Sequence, residues 1–410
     1  MPLRTCGCAL AVAMFTFYQL SLWSALAKAD EASYWTDESV DDVLQFVQDP
    51  GAAADAAEPQ LQPPPPTRLV RVQPAAVRRS RFRLASVPNM LGDTFPSAGQ
   101  IFSGSPSPTV AADIGLAGGA RRMKIAENNK ALPADRVFFM YNHFNNALAA
   151  DGDLATSDRQ RFSVERFTIG LEKTFGCGLW SVDVRMPFTN EFDFTSPNLD
   201  VNGGPIGNLA ISIKRLLYET DNGAISAGLG IDTPTGSDFN VSVFARPYTV
   251  HNDAVLLMPY LGLTATPDDN TFVHIFAQLD IPANGNRIEF VGLGGPTPLG
   301  ILNDQTLLYL DASLGRWLYR DPCADYLTGL AALVELHYTS TLNDTDIVGG
   351  LPDVAFLESA NRRDILNLTF GLHGQLTSNT DVRVGAVFPL RNKPDRLFDS
   401  EVQVQVNRRF

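Results

Sequence analysis

Twelve strand-like segments follow one another between residues 136 and 410, and many of them alternate apolar and polar side chains with a period of two. In the last of them, Val402, Val404 and Val406 are each flanked by polar residues on both sides. Successive side chains of a β-strand point to opposite faces, so each segment predicts a strand with one apolar and one polar face. Most have ten to fourteen residues, the length that a tilted strand needs to cross a bilayer. The predicted strands are about 136–148, 163–175, 179–190, 205–217, 222–233, 255–264, 271–282, 305–318, 327–339, 363–376, 380–390 and 400–410.

The connections between these segments alternate between long and short. Gly176-Cys177-Gly178 and Thr377-Ser378-Asn379 are short turns, whereas several intervening connections exceed 20 residues. Short turns on one side and long loops on the other are typical of outer-membrane barrels. A final strand at 400–410 would leave an exposed sheet edge unless it pairs with the first strand. The pattern therefore predicts an all-β fold, a transmembrane antiparallel β-barrel of about twelve strands over residues 134–410.

The N-terminal segment has the features of a secretory signal peptide. Arg4 is followed by an apolar run, and Ala25-Leu26-Ala27 and Ala27-Lys28-Ala29 are small-x-small cleavage sites. We expect residues 1–29 to be a cleavable signal peptide, with an uncleaved membrane helix as the alternative. No later run of about 20 apolar residues follows. Together with the predicted strands, this segment favours the outer membrane as the location.

Residues 30–133 form a Pro/Ala/Gly-rich, mostly irregular extension before the barrel. Pro63-Pro64-Pro65-Pro66 indicates a stiff spacer. Residues 82–133 are rich in Gly, Pro and Ser and contain one strand-like piece, Met123-Lys124-Ile125-Ala126. Two interpretations stay open at this stage: a periplasmic extension, or a partial plug of the pore.

Composition and motifs argue against several functional classes. The net charge of −13 gives no electrostatic reason to bind nucleic acid. After the signal segment only Cys177 and Cys323 remain, in separate predicted periplasmic turns, which indicates neither a disulfide framework nor a zinc site. There is no nucleophile elbow, phosphate-binding loop or paired-histidine metal motif. We therefore predict no catalytic residues, no metal and no cofactor, and we do not expect an enzyme.

Two short elements resemble those of known outer-membrane proteins. The stretch Gly228-Leu229-Gly230-Ile231-Asp232-Thr233-Pro234-Thr235-Gly236 is similar to a strand-ending element of the phenol meta-degradation transporter-like barrels. Those barrels relate in turn to fatty-acid and aromatic-hydrocarbon transporters of the outer membrane. Phe410, behind the alternating valines, resembles the C-terminal insertion signal of bacterial barrels, although Arg408 stands where an aromatic residue is usual. The resemblance implies that Val402, Val404, Val406 and Phe410 engage the barrel-assembly machinery, and that the partners are outer-membrane lipid and a small solute of unknown identity.

The sequence thus predicts a channel or transporter for small solutes, hydrophobic ones included. A barrel of about twelve strands would enclose a narrow conduit that selects by size and by its lining charges. Two alternatives stay open: a non-transporting barrel that anchors its outer loops, and an outer-membrane barrel enzyme. Structural ion pairs are an alternative role for every lining charge. The residues predicted to line the lumen are Arg166, Glu172, Asp183, Arg185, Lys214, Asp232, Glu335, His337, His373 and Arg383.

Overall fold

The structure is a computed structural model that describes residues 84–93, 98–103, 110–115, 122–152, 159–190, 192–350, 353–357, 362–377 and 379–410. The predicted signal peptide (1–29) and residues 30–83 of the predicted extension lie outside the described residues. No helix among the described residues is long and apolar enough to cross a membrane. In chain order the strands are β1 (Ala98–Ser103), β2 (Val110–Gly115), β3 (Arg136–Asp151), β4 (Arg159–Phe175), β5 (Trp180–Thr189), β6 (Phe192–Thr195), β7 (Leu199–Gly203), β8 (Ala210–Glu219), β9 (Gly223–Asp232), β10 (Phe239–Val243), β11 (Arg246–Val250), β12 (Leu256–Ala265), β13 (Thr271–Pro282), β14 (Asn286–Gly292), β15 (Gly295–Leu302), β16 (Leu307–Arg320), β17 (Gly329–Thr341), β18 (Ile347–Gly350), β19 (Val354–Leu357), β20 (Asp364–Gln375), β21 (Thr380–Pro389) and β22 (Ser400–Arg409).

Twelve of these strands close into an antiparallel barrel. Its order is β3, β4, β5, β8, β9, β12, β13, β16, β17, β20, β21 and β22, and β22 pairs back with β3. The closing register aligns Arg409 with Arg136 and Ser400 with Asn145. Each predicted strand matches one barrel strand, with end shifts of up to about five residues. The prediction of an all-β antiparallel barrel of about twelve strands is confirmed.

The barrel is polar inside and apolar outside. Ile169 is 59% exposed on the outer face, whereas its neighbour Thr168 is 4% exposed on the inner face. An apolar outer band around a polar interior is the pattern of a transmembrane β-barrel. More than a third of each side chain is exposed at the outward positions Val137, Phe139, Phe167, Ile169, Leu171, Ile211, Ile213, Ile225, Leu229, Ile231, Leu261, Ile281, Leu310, Leu314, Val334, Leu336, Phe370, Leu372, Val384, Phe388 and Val402.

The two ends of the barrel differ. We call the end with the short connections and Phe410 the turn end, and the opposite end the loop end. The tight β4–β5 turn has positive φ angles of 57° at Gly176, 59° at Cys177 and 80° at Gly178, a conformation that glycine adopts without strain. Cys177 and Cys323 are both exposed free thiols.

The long connections at the loop end carry a second sheet that the sequence pattern did not predict. Its six strands have the order β15, β14, β11, β10, β7, β6. Strands β18, β19, β1 and β2 extend the barrel sheet beyond β3. The two sheets share an apolar core to which Val241 of β10, Phe356 of β19 and Phe144 of β3 contribute. The loop end is therefore a packed structure rather than a set of open loops.

Two irregular segments run through the barrel interior, and we name them together the lumen hairpin. The ascending limb (84–93) passes from the turn end toward the loop end, and the descending limb (122–133) returns to the start of β3. Leu84 and Leu132 pack together with Leu216 near the turn end. The prediction of a strand at Met123–Ala126 is wrong. Its backbone bonds instead to the side chain of Gln278, which accepts from Ile125 N–H at 2.7 Å and donates to Met123 O at 3.0 Å.

Candidate functional site: the barrel lumen

The ascending limb is held through its backbone. Glu335 of β17 accepts the N–H groups of Leu91 and Gly92, each at 2.9 Å. Gln405 and Gln403 of β22 donate to the carbonyl oxygens of the same two residues, each at 2.7 Å. Buried backbone groups need such partners when no neighbouring strand pairs with them. The polar face of the closing strand therefore binds the hairpin.

The two limbs lie close together at Gly92. Its φ is +90°, and a Cβ at this position would lie 2.8 Å from Cβ of Glu127 on the descending limb. The limbs also share a backbone bond, because Met90 N–H donates to Asn129 O at 2.9 Å. A side chain at position 92 would therefore separate the limbs.

A cluster of charged side chains joins both limbs to the wall at mid-height. Lys124 donates to Asp93 of the ascending limb and, at 2.6 Å, to Asp311 of β16. Nδ1 of His337 lies 2.8 Å from Asp311 Oδ1. Asp93, Asp311 and His337 offer three ligand atoms within 4.8 Å of one another, a spacing that could hold a cation. The ammonium group of Lys124 bonds to both carboxylates, so the chain itself supplies the compensating charge.

A second cluster lies closer to the turn end. Glu172 of β4 accepts from Arg136 Nε at 2.8 Å, Lys214 Nζ at 3.0 Å and Ser181 Oγ at 2.8 Å. Lys214 also donates to Oδ1 of Asn129 at 2.7 Å. All five side chains are nearly inaccessible to solvent. Because isolated buried charges are strongly disfavoured, this mutual pairing is what permits them there.

Asn128 links the hairpin to two wall arginines. It lies in the turn of the descending limb with a φ of +52°, a region that asparagine tolerates better than most residues. Its Oδ1 accepts from Arg136 Nη1 at 3.1 Å and from Arg383. Arg383 Nη1 donates in addition to Met90 O at 3.0 Å. One guanidinium group thus contacts both limbs.

A hydroxyl–imidazole pair lies near the turn end. Ala131 N–H donates to Thr264 Oγ1 at 3.0 Å, and Thr264 Oγ1 lies 3.0 Å from His274 Nδ1. His274 Nε2 lies 2.9 Å from Pro88 O and donates to it, because a carbonyl oxygen only accepts. In the neutral ring, Nδ1 then accepts a hydrogen bond from the Thr264 hydroxyl. Both side chains are fully buried and bonded to the hairpin, so this pair holds the limbs rather than presenting a nucleophile.

A cleft remains on one side of the lumen, between the descending limb and strands β3, β4, β5, β8 and β9. It contains about 300 Å³ of space that no protein atom fills, solvent at its mouth included. Pro187, Asn208 and Asp232 place it toward the loop end, because they lie at the loop-end side of their wall strands. The lining residues are Arg122, Met123, Glu127, Met140, Arg166, Thr168, Arg185, Pro187, Asn208, Ala210 and Asp232.

The ten sequence-predicted residues fall into separate groups inside the barrel. Arg166, Arg185 and Asp232 line the cleft. Glu172 and Asp183 pair with Arg136, and Lys214 pairs with Glu172. Glu335, His337 and Arg383 contact the limbs or the charge cluster at mid-height. His373 lies edge-on to Trp317, with ring centroids 5.5 Å apart, and its Nδ1 is 4.0 Å from Asp381 Oδ1.

Other charged lumen residues were missed by the sequence analysis. Arg136, Asp280, Asp311 and Glu401 stand at inward positions of their strands, so the period-two pattern could have found them. The hairpin residues have no such periodicity, and their irregular backbone gives no sequence signal for their place in the lumen. The missed hairpin residues are Asp93, Arg122, Lys124, Glu127 and Lys130.

The four residues of the predicted C-terminal signal lie on the outer face of β22 or just beyond it. Val402 is 46% exposed and Phe410 is 61% exposed, whereas Val404 and Val406 are half-buried. The ammonium group of Lys173 lies 4.9 Å from the ring centroid of Phe410. Their role in assembly stays a prediction.

A histidine joins two strands of the second sheet at the loop end. His251 Nδ1 lies 3.1 Å from Asp238 Oδ2, and its Nε2 lies 3.2 Å from Glu289 Oε2. Burial alone would lower the pKa of His251, but the carboxylates of Glu289 and Asp238 raise this pKa above its ordinary value of 6.5. His251 therefore links the residue before β10 to β14, and its two carboxylate partners favour the protonated imidazole.

Comparisons with known proteins find similar folds but no family. No family model matches the chain, and no curated protein sequence matches it. An outer-membrane channel from Pseudomonas putida F1 is 11% identical with a TM-score of 0.43, over 68% of this chain and 97% of the other. The translocator domain of the autotransporter NalP from Neisseria meningitidis is 11% identical with a TM-score of 0.43, over 82% and 94%. The NanC porin is 9% identical with a TM-score of 0.38, over 67% and 98%. The architecture of this chain accordingly rests on its own strand pairing.

Proposed function

We propose that this chain is an outer-membrane channel for small solutes whose lumen is closed by its own lumen hairpin. The observation that carries the proposal is the set of hydrogen bonds by which wall side chains hold the backbone of the ascending limb. Glu335, Gln403, Gln405 and Arg383 bond to the backbone of the ascending limb, and water can replace every one of these bonds. Displacement of the hairpin would leave a wet lumen of mixed charge, which selects solutes by size and lining charge.

The proposal includes an orientation. Short turns of such barrels face the periplasm and long loops face outside. The turn end would then be periplasmic, and the loop end with its second sheet would be exposed at the cell surface. Export by the signal peptide at 1–29 and assembly through Val402, Val404, Val406 and Phe410 belong to the same proposal.

A second candidate function is a sealed barrel that anchors the loop-end sheet. The observation that favours it is that hydrogen bonds and ion pairs hold the limbs along their length. Near the turn end Lys130 donates to Ala85 O at 2.7 Å, and at mid-height Lys124 pairs with Asp311 of the wall. A hairpin that never moves would make the barrel a support and not a conduit. The two functions differ in conductance.

Locking the hairpin to the wall separates these functions. A Cβ built on Gly371 of β20 would lie 2.0 Å from Leu91 Cδ1. Since Cδ1 is two bonds from Cβ, the Cβ atoms of residues 91 and 371 lie within about 5 Å, close to disulfide range. The variant Leu91→Cys/Gly371→Cys, made with Cys177→Ser and Cys323→Ser, would be reconstituted in planar bilayers. We expect conductance under reducing conditions and its loss on oxidation.

The controls are the two single-cysteine variants in the same background. Their conductance should not respond to oxidation, because neither can form the intramolecular bond. If neither the parent chain nor the folded, reduced double variant conducts, the result contradicts the channel and supports the anchoring barrel.

A further inference from the structure

Three basic side chains stand on the outer face of the barrel at the turn end. They are Arg408 of β22, Lys173 of β4 and Arg215 of β8, and each is exposed. Each continues the period-two series of outward apolar side chains on its strand, so it lies where the apolar band ends. Their strands follow one another around the barrel in the order β22, β3, β4, β5 and β8. Since neighbouring strands are about 4.8 Å apart, the three residues cover roughly 20 Å of the rim, which we call the basic arc.

Aromatic rings lie beneath two of these cations. Cζ of Arg215 lies 5.0 Å from the ring centroid of Trp180, and Nζ of Lys173 lies 4.9 Å from that of Phe410. Phe175 stacks on Trp180, with ring centroids 6.2 Å apart. Aromatic side chains at the border of the apolar band typically lie at the level of the lipid headgroups. The basic arc therefore lies where the phosphate groups of a bilayer meet the barrel.

The two arginines of the arc have no carboxylate partner among the residues that the structure describes. Nη1 of Arg408 donates to Thr380 Oγ1 at 2.8 Å, and Arg215 contacts only the indole ring. Lys173 pairs with Asp135 at 3.3 Å, but its side chain is 59% exposed and keeps donors free for a further acceptor. A guanidinium group is charged at every physiological pH and binds phosphate oxygens through two parallel hydrogen bonds. The arc thus presents unpaired positive charge to the lipid.

Charged side chains near the opposite border of the band are paired within the chain. Glu165, on the same face of β4 as the arc lysine, lies 2.6 Å from His143 Nδ1. Arg391, beyond the loop end of β21, lies 4.0 Å from Asp364 and 3.8 Å from Asp395. These charges compensate one another, in contrast to the two arginines of the arc. A negative headgroup is therefore favoured at the turn end.

We propose that the basic arc is a binding site for anionic phospholipids in the leaflet at the turn end, with phosphate oxygens at Arg215 and Arg408 and acyl chains along the apolar band. A zwitterionic phospholipid has the same phosphate, but its ammonium group brings a positive charge toward the arc, so a net negative headgroup binds more tightly. The inference rests on the proposed function for one point, the orientation that makes this leaflet periplasmic. Lipid binding needs no open lumen and can be measured whether or not the chain conducts.

The test titrates the full chain, in micelles of a non-ionic detergent, with phosphatidylglycerol or with phosphatidylcholine of the same acyl chains. Native mass spectrometry counts the bound lipids. We expect the parent chain to bind phosphatidylglycerol about tenfold more tightly than phosphatidylcholine. Arg215→Gln should weaken phosphatidylglycerol binding by about fivefold, the effect of one basic side chain at a lipid surface. The triple variant Lys173→Gln/Arg215→Gln/Arg408→Gln should lose the preference.

Two variants and a soluble headgroup serve as controls. Arg246→Gln makes the same change of charge on the loop-end sheet and should leave the preference intact. Arg215→Lys keeps the charge and should retain most of the binding. Glycerophosphoglycerol, the headgroup without acyl chains, distinguishes a bilayer lipid from a free phosphate ester and should not displace the lipid.

Four results would each overturn the proposal: equal binding of the two lipids by the parent chain, an unchanged preference in the triple variant, an equal loss in Arg246→Gln, and displacement by glycerophosphoglycerol. The heat-modifiable gel shift establishes that each variant retains the barrel. A chain that prefers phosphatidylglycerol but does not conduct would overturn only the channel function.

Discussion

Single residues decide how tightly the hairpin fits into the barrel. Glu335 was predicted from the alternating pattern of β17, but its partners, the N–H groups of Leu91 and Gly92, were not. An inward carboxylate is visible in a strand sequence because its neighbours alternate with it. The backbone group that it binds carries no side-chain signal. The sequence therefore predicts the wall residue of each contact, and not the hairpin group that this residue binds.

Gly92→Ala should loosen the lumen hairpin. Its φ of +90° disfavours any side chain, and the new Cβ would lie 2.8 Å from Cβ and 2.9 Å from Cα of Glu127. We expect a loss of roughly 1–3 kcal/mol in hairpin stability, from backbone strain and displacement of the facing limb. Limited proteolysis of the hairpin should become faster, whereas the heat-modifiable gel shift of the barrel stays in place.

Gly294→Ala is the matched control for this change. No heavy atom lies within 4 Å of the position that its Cβ would take. Its proteolysis pattern should be that of the parent chain. Equal proteolysis of Gly92→Ala and the parent would show that the two limbs do not pack as described.

At the scale of elements, the sequence predicted the long strands and missed the short ones. The barrel strands have ten or more residues of alternation, enough to stand out from irregular sequence. Strands β10 and β11 have five residues each, although Phe239, Val241 and Val243 alternate and are buried. Short alternating runs inside long connections are indistinguishable from loops until a second sheet is known to cover them. Packing partners, rather than propensity, define these elements.

The loop-end sheet should lose stability as the pH rises. The pKa of His251 is raised above 6.5 in the folded chain, so the protonated form is favoured by folding. Its contribution is fully present below the ordinary pKa and is lost as the pH rises through the raised pKa of the folded state. Amide hydrogen exchange in β11 and β14, corrected for the intrinsic pH dependence, should show weaker protection above that pKa.

His251→Gln removes the titrating group and gives the control. Its corrected protection should be lower than that of the parent near pH 6 and should not change over the same pH range. A parent chain with pH-independent protection would show that Asp238 and Glu289 do not hold a protonated imidazole.

At the scale of the whole molecule, the side-chain orientation of the closing strand indicates which surface of the barrel faces lipid. Gln403 and Gln405 are fully buried and face the lumen, so Val404 between them faces outward, paired with Val384 and Tyr141. In a soluble barrel this valine would be a surface position that tolerates charge. In a membrane it lies in the apolar band, where a charge must leave water.

Val404→Arg should therefore destabilise the barrel by about 2–4 kcal/mol, the cost of an arginine near the bilayer midplane. Unfolding in lipid vesicles by guanidinium chloride, followed by tryptophan fluorescence, would measure the difference. Leu293→Arg is the control, because Leu293 is fully exposed at the tip between β14 and β15 and should change the free energy of unfolding by less than about 0.5 kcal/mol. Equal stability of Val404→Arg and Leu293→Arg would mean that the outer face of β22 does not contact lipid. The inside-out alternation would then have to be covered by protein, such as a second copy of the chain.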